Sequence, residues 1–215
     1  MPSNHLHPAL LAAFLLTCSA SVQAVVAPRG APHVETFPPG AAATVAHVID
    51  GDTAWFRLTN GDLVKARFIG LNAPECHKRQ ISKRGLRSAS CDKDHEFYGL
   101  ASARAMQQIL AAGPIRLHCP RTAAGGCQQG GFGRPLVTVD VGGKDAAAEM
   151  IRVGAGWTYT KYPDRNRAKL CRIEAQARAA KVGMWATDLG RIKAGMLPKT
   201  RKWFAGQATA CAAAR

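Results

Sequence analysis

The sequence predicts an α+β fold, in which about three α-helices pack on a small five-stranded β-barrel. Short runs of alternating apolar and polar residues begin at Thr44, and a period of two is typical of strands with one buried face. Three stretches further along carry apolar residues at helical spacing. Of the 215 residues, 47% are hydrophobic and 20% are charged. This composition is that of a globular protein and excludes a disordered chain.

The order of the elements supports the barrel. Five segments are predicted as strands, at 44–49, 53–59, 63–71, 115–119 and 135–141. Three are predicted as helices, at 94–112, 145–153 and 164–181. Asn60-Gly61 is a strong signal for a two-residue hairpin turn, and Asp94 and Asp145 are expected to cap their helices. The polar, basic segment 76–93 is expected to be a loop. Three strands, a helix, two strands and two helices form an OB-like arrangement.

The first 24 residues have the features of an export signal. They contain no Lys, Arg, Asp or Glu, and their apolar run 9–16 is too short to span a bilayer. Val22-Gln23-Ala24 carries small residues where a signal peptidase cleaves. A lipoprotein signal ending at Cys18 is the alternative. We therefore expect a signal peptide at 1–24 cleaved after Ala24, secretion or periplasmic location, and no stable membrane insertion.

The remaining chain divides into three further parts. Residues 25–43 are expected to be a linker, 44–185 the folded domain, and 186–215 a basic C-terminal tail that either binds nucleic acid strands or is disordered. A monomer is expected.

The cysteines favour disulfides over zinc. Without Cys18, six cysteines remain: Cys76, Cys91, Cys119, Cys127, Cys171 and Cys211. An even number in an exported chain indicates disulfides. Six cysteines allow about 15 pairings, of which pairing between neighbours is the simplest. Zinc bound by cysteines and histidines between residues 76 and 127 is the alternative, although no C-x-x-C pair is present.

The charge predicts a polyanionic partner. The formal net charge is +15 at pH 7, which suits nucleic acid or an anionic membrane surface. Charge alone does not choose between them. A cluster of five basic residues would add to this surface: Lys78, Arg79, Lys83, Arg84 and Arg87.

Three short motifs carry candidate chemistry. Asp50-Gly51-Asp52-Thr53 places two carboxylates across a sharp turn, where they can bind a hard cation. Segment 67–75 puts Arg67 inside an apolar strand and Glu75 just after a proline. The Gly-rich turn 130–133 delivers Arg134 to the start of a strand, where a guanidinium suits a phosphate. Taken singly, each motif also fits an ordinary turn, a strand-edge arginine or a common glycine loop.

Together, the motifs supply a carboxylate for a metal, one for a base and two arginines for phosphate oxygens, which is a set suited to phosphodiester hydrolysis. In this order, over roughly 44–185, the sequence resembles the thermonuclease family (micrococcal, or staphylococcal-type, nucleases). Further matching segments are Val48-Ile49, Phe132-Gly133, Glu174-Ala175-Gln176-Ala177 and Gly183-Met184-Trp185.

The resemblance implies an OB-fold and a calcium-dependent endonuclease that cleaves DNA and/or RNA and leaves 3′-phosphate ends. Carried over by position, Asp52 would be a metal ligand and Glu75 the general base. Arg67 and Arg134 would bind the scissile phosphate and stabilise its transition-state charge.

This chain departs from the family pattern at several positions. Asn72 stands where a second metal-ligating Asp is usual, so calcium affinity should fall or the metal preference should change. Ala73 would contribute only its backbone carbonyl to the metal. Phe132 replaces a frequent Tyr, and Tyr159 is the candidate for base binding.

Two other functions remain open from the sequence. One is a non-catalytic OB-fold module that binds nucleic acid and has a metal site weakened by Asn72. The other is a membrane-surface or cell-wall protein that uses its charge alone, although it leaves the arginines and Glu75 unexplained.

Overall fold

The computed structural model describes residues 34–83 and 86–213. The predicted signal peptide lies outside these residues. The strands are β1 Ala41–Val48, β2 Thr53–Leu58, β3 Leu63–Phe68, β4 Leu71–Asn72, β5 Cys76–Lys83, β6 Leu86–Asp94, β7 Ile115–His118, β8 Leu136–Val141, β9 Lys144–Asp145 and β10 Trp157–Thr158. The helices are α1 Gly99–Leu110, α2 Ala146–Arg152, α3 Arg167–Ala179, α4 Leu189–Ala194 and α5 Pro198–Ala212.

A closed five-stranded barrel forms the body of the protein. The main sheet has the order β3-β2-β1-β7-β8-β9, and β3 also pairs in parallel with β8, which closes the sheet on itself. Alternate strand residues fill the interior, among them Phe56, Phe68, Leu117 and Val139. The predicted α+β barrel is confirmed, with about five helices instead of three.

The two extra helices occupy the segment that the sequence predicted as a basic tail. α4 and α5 pack on a second core, formed by Trp157, Ala177, Met184, Trp185, Ile192, Met196 and Phe204. Short amphipathic helices with many Ala, Gly and Lys residues carry a weak hydrophobic pattern, so the sequence pattern did not predict these two helices. At the other end of the domain, Phe37 is buried and β1 begins at Ala41, so the barrel starts within the expected linker.

The prediction of a loop at 76–93 is wrong, because this segment is a β-hairpin. β5 and β6 pair from Cys76 opposite Asp94 to Lys83 opposite Leu86. Its polar residues lack the alternation with apolar residues that reveals a strand. Hydrogen bonds fix the hairpin to the barrel: Trp55 Nε1 donates to Ser88 Oγ (3.0 Å), and His47 Nε2 donates to the Ala89 carbonyl (2.9 Å).

The helix starts agree with the sequence in part. Asp145 caps α2 by accepting a hydrogen bond from the Ala147 N–H at 3.0 Å, as predicted. α1 begins at Gly99 and not at Asp94, and Tyr98 stands at its N-cap with φ 75°. Asp94 nevertheless accepts a hydrogen bond from the Leu100 N–H at 2.6 Å.

Three disulfides pair neighbouring cysteines, as the simplest prediction had it: Cys76–Cys91, Cys119–Cys127 and Cys171–Cys211. They use all the cysteines of the zinc alternative. Within 34–83 and 86–213, no helix is long and apolar enough to cross a bilayer.

Removing the Cys171–Cys211 disulfide should cost more stability than removing Cys119–Cys127. The first closes a loop of 40 residues and the second a loop of 8, and a longer loop restricts the unfolded chain more. The chain-entropy relation gives about 4 kcal/mol for the double Cys→Ser variant at 171 and 211, and about 2.5 kcal/mol at 119 and 127. Urea unfolding measures both free energies, and the reverse order would contradict this view of α5 as a stapled part of the domain.

Candidate active site

One cleft of about 480 Å³ gathers the predicted site residues. Seven of them line it: Asp52, Arg67, Asn72, Glu75, Phe132, Arg134 and Tyr159. The eighth, Ala73, adjoins the cleft and donates its N–H to Asp52 Oδ2 at 3.2 Å. A larger cavity of about 740 Å³ is lined by none of these eight residues.

The register of three strands brings these side chains together. Thr53 lies opposite Arg67 in the β2–β3 pair, and Arg67 lies beside Leu136 in the β3–β8 pair. The Arg67 N–H donates to the Pro135 carbonyl at 3.0 Å. The turn after β1, the end of β3 and the loop before β8 therefore meet at one edge of the barrel.

Arg67 is a buried cation held by two side chains. Its Nη1 forms an ion pair with Asp52 Oδ1, and its Nη2 donates to Asn72 Oδ1 (2.8 Å) and to the Leu71 carbonyl (3.2 Å). All three side chains are buried, with Arg67 at 8% exposure. Burial lowers the pKa of Arg67 to about 10, so the guanidinium remains charged at neutral pH.

Arg134 reaches the same place from the Gly-rich loop. Its Nη1 donates to Thr53 Oγ1 at 3.0 Å, and its Nε donates to the Gly131 carbonyl at 2.9 Å. Phe132 has φ 65°, a left-handed conformation that is uncommon for a bulky residue, and its side chain is 95% exposed. The loop thus presents an aromatic ring to solvent 5.5 Å from the Arg134 guanidinium.

Glu75 lies at the mouth of the cleft and is held on both sides. Its Oε2 accepts a hydrogen bond from Lys78 Nζ at 2.8 Å, and the same ammonium lies 2.9 Å from Asp50 Oδ2. Burial alone would lower the pKa of Lys78, but the two carboxylates raise it above its usual value. The backbone is fixed by Glu96, whose N–H donates to the Glu75 carbonyl and whose Oε2 accepts from the Glu75 N–H, both at 2.8 Å.

An aromatic wall completes the cleft. The Tyr159 ring is 8% exposed and lies 5.3 Å from the Arg67 guanidinium. Tyr162 and Trp203 meet Tyr159 edge to face, with ring centroids 5.8 Å and 5.7 Å away. Tyr162 also accepts a hydrogen bond from the Gly131 N–H at 3.1 Å, which joins this wall to the Gly-rich loop.

Comparison with known protein families agrees with this arrangement. The family model described as staphylococcal nuclease homologue matches residues 65–187, which is more than half of the chain. The chain belongs to the staphylococcal nuclease family. Proteins of this family are usually nucleases, so a nucleic acid is the class of substrate. No curated protein matches the chain.

The match places much of the cleft inside the staphylococcal nuclease domain. Arg67, Glu75, Arg134 and Tyr159 fall within the matched residues, whereas Asp52 precedes them. Asp52 is tied to the domain by the Arg67 ion pair and by the hydrogen bond from the Phe68 N–H to its carbonyl at 3.0 Å.

Staphylococcal nucleases are generally calcium-dependent, but the donor set here does not fit calcium as it is arranged. Calcium takes about six to eight oxygen ligands. Asp50 is paired with Lys78, Asp52 with Arg67, and the Asn72 oxygen accepts from Arg67. Among the described residues, no group of three or more His, Cys, Asp or Glu is placed to hold a metal ion. Lys78 and Arg67 supply the positive charge that these two aspartates face.

Several residues of the cleft were not assigned to it from the sequence. Lys78 was placed only in a basic surface segment, and Trp203 and Lys199 only in the tail, yet all three line the cleft. Glu96 carried no signal, because a single acidic residue near a helix start has no pattern of its own. Its buried carboxylate becomes recognisable only from its two backbone partners, Glu75 and Leu197.

We expect Asn72→Asp to bring the donor set closer to one that binds calcium. The change adds a second carboxylate next to Asp52, and calcium affinity rises with the number of charged ligands. A calorimetric titration should show the affinity for calcium increasing by about ten-fold or more. The control is Asn60→Asp, the same charge change in the exposed β2–β3 turn, which should leave the affinity unaltered. Equal affinities of Asn72→Asp and the parent protein would contradict the view that the missing charge at position 72 contributes to the poor fit for calcium.

Proposed function

We propose that the protein is an exported endonuclease that hydrolyses phosphodiester bonds of DNA and/or RNA. The observation that carries the proposal is the convergence of two guanidinium groups and one carboxylate in a single cleft: Arg67, Arg134 and Glu75. Arg67 lies in register with Thr53, and Arg134 donates to its hydroxyl. Planar guanidinium donors in one cleft suit the oxygens of a phosphate.

Each residue then has a defined part in the reaction. Arg67 and Arg134 bind the non-bridging oxygens and stabilise the extra negative charge of the transition state. Glu75 accepts a proton from water as the water oxygen attacks phosphorus. The bond to the 5′ oxygen breaks, that oxygen takes up a proton from solvent, and a 3′-phosphate end remains; Glu75 then releases its proton to solvent. No step is assigned to a metal, since the described donors do not form a calcium site; any calcium requirement should be weak or altered by Asn72.

Lys78 and Glu96 position the base. The Lys78 ammonium holds one oxygen of Glu75 at the cleft wall, and Glu96 fixes the Glu75 backbone from both sides. Displacement of a reacting group by about 1 Å can cost about 100-fold in rate. The restraint by both Lys78 and Glu96 therefore supports Glu75 as a group whose position matters for the reaction.

Export is supported by the cysteine chemistry. Three disulfides in a chain of this size are typical of oxidising compartments. We propose secretion or periplasmic location on this ground, together with the signal-like segment at 1–24.

The second candidate is an OB-fold module that binds nucleic acid without cutting it. It is favoured by Asn72, which removes a metal-binding charge, and by the ion pairs that engage Asp50 and Asp52. This candidate predicts salt-dependent binding and no cleavage with any divalent ion.

Glu75→Gln should lower nuclease activity by about 100-fold or more, because the amide cannot take the proton from water. The assay is release of acid-soluble nucleotides from DNA and from RNA, with calcium and with a chelator. The matched control is Glu149→Gln, which also breaks a surface pair, with Arg152, but lies outside the cleft. Unchanged cleavage by a folded Glu75→Gln protein would refute the proposed base. Absence of cleavage by the parent protein would favour the binding module.

Glu96→Gln should reduce kcat while leaving substrate affinity almost unchanged. The side-chain oxygen of glutamine can accept a hydrogen bond from the N–H of Glu75 or from that of Leu197. Its NH2 group then faces the other N–H, which loses its acceptor. We expect kcat to fall about ten-fold or more, with the KM within about two-fold of the parent value. Thermal unfolding of the same sample verifies folding. An unaltered kcat would show that Glu96 has only a structural role.

A further inference from the structure

Helix α5 contributes one wall of the cleft. Lys199, Thr200 and Trp203 line it together with Glu75 and Arg134. Positions 199, 200 and 203 are three and four residues apart, so they share one face of the helix. The functional scheme above uses neither Lys199 nor Trp203.

This wall is held firmly against the rest of the domain. On the adjoining face of α5, Phe204 packs against Trp157 and Trp185, with ring centroids 5.4 Å and 6.1 Å away. The Leu197 N–H just before the helix donates to Glu96 Oε1 at 2.7 Å. Cys211 bonds to Cys171 on α3. Because this face is already fixed, binding of a ligand requires little further ordering of the helix.

The wall combines an accessible aromatic ring with unpaired positive charge. Trp203 is half-buried, and the ammonium groups of Lys199 and Lys161 lie 4.7 Å and 5.9 Å from its ring centroid. Both lysines are exposed. Within the described part of the chain, no carboxylate lies within ion-pair distance of either of them. A strand that brings a base to the ring therefore also meets two cations that are not paired with a carboxylate.

The aromatic ring and the phosphate-binding arginines are connected. The Arg67 guanidinium lies 5.3 Å from the Tyr159 ring, and the Tyr159 ring lies 5.7 Å from that of Trp203. Tyr159 is itself nearly buried, so it offers little surface for stacking. The more accessible surface for a base on this side is Trp203.

We propose that Trp203, Lys199 and Lys161 form a subsite for single-stranded nucleic acid next to the scissile phosphate. One unpaired base stacks on Trp203, and the ammonium groups contact the flanking phosphates. Aromatic stacking and cationic side chains are the usual means of binding single strands without sequence preference. A paired base keeps its faces inside the duplex and cannot use the ring. The inference rests on the proposed function of the cleft and specifies its substrate: a single strand.

Binding of an oligonucleotide of about eight nucleotides tests the subsite. Fluorescence anisotropy is measured in the Glu75→Gln background, with single-stranded DNA and with its duplex. Trp203→Leu should weaken binding of the single strand about ten-fold and leave that of the duplex unchanged, while Trp203→Tyr should restore most of the affinity. Lys199→Ala should reduce the slope of log K against log salt by about 0.7, the value of one phosphate contact on a single strand.

The matched control is Lys202→Ala, which removes an exposed charge of the same helix outside the cleft and should preserve the slope. The subsite is overturned if the parent protein binds and cuts single strands and Trp203→Leu binds them equally well; the proposed function then stands. It is also overturned if Lys199→Ala and Lys202→Ala have equal effects, which would indicate general charge attraction. If the parent protein neither binds nor cuts any oligonucleotide, the proposed function and the subsite both fail.

Discussion

The buried charge of Arg67 is the constraint on which the cleft depends. A guanidinium in the wall of a barrel is costly unless it is paired and hydrogen-bonded. Asp52 and Asn72 meet that requirement, and each lies on a different segment next to β3. Because Asp52 and Asn72 both bind Arg67, the turn after β1 and the end of β4 are fixed relative to each other. Removing either partner would leave a buried charge with too few acceptors, so this centre resists rearrangement.

Two buried glutamates connect the cleft to the C-terminal helices in a similar way, by binding groups from both. Glu96 accepts from the backbone of Glu75 and of Leu197, at 2.8 Å and 2.7 Å. Glu174 accepts from the Thr158 N–H at 2.8 Å and is bound by the side chains of Arg178 and Gln207. Each carboxylate thus connects a segment of the cleft to the region around α5. The C-terminal region is part of the site because its backbone and side chains satisfy these buried acids.

The sequence predicted what depends on local pattern and on ordered motifs. The barrel strands followed from alternation, the α2 cap from Asp145, and the set Asp52, Arg67, Glu75 and Arg134 from the order of motifs; the fold places these four in one cleft. The hairpin at 76–94 was missed because both of its strands are polar, and its register is fixed by long-range hydrogen bonds and a disulfide. Glu96 and Trp203 act through partners distant in the chain, as Lys78 does through Asp50, and no periodicity reveals such contacts.

The central claim is that Arg67 and Arg134 bind one phosphate group together. NMR of the arginine Nε–H groups tests it directly, during titration with a short single-stranded oligonucleotide made resistant to hydrolysis. The account predicts that the Arg67 and Arg134 signals shift along one common saturation curve, while that of Arg152, on the far end of α2, stays in place. Shifts confined to surface arginines, with Arg67 and Arg134 unmoved at saturation, would contradict it.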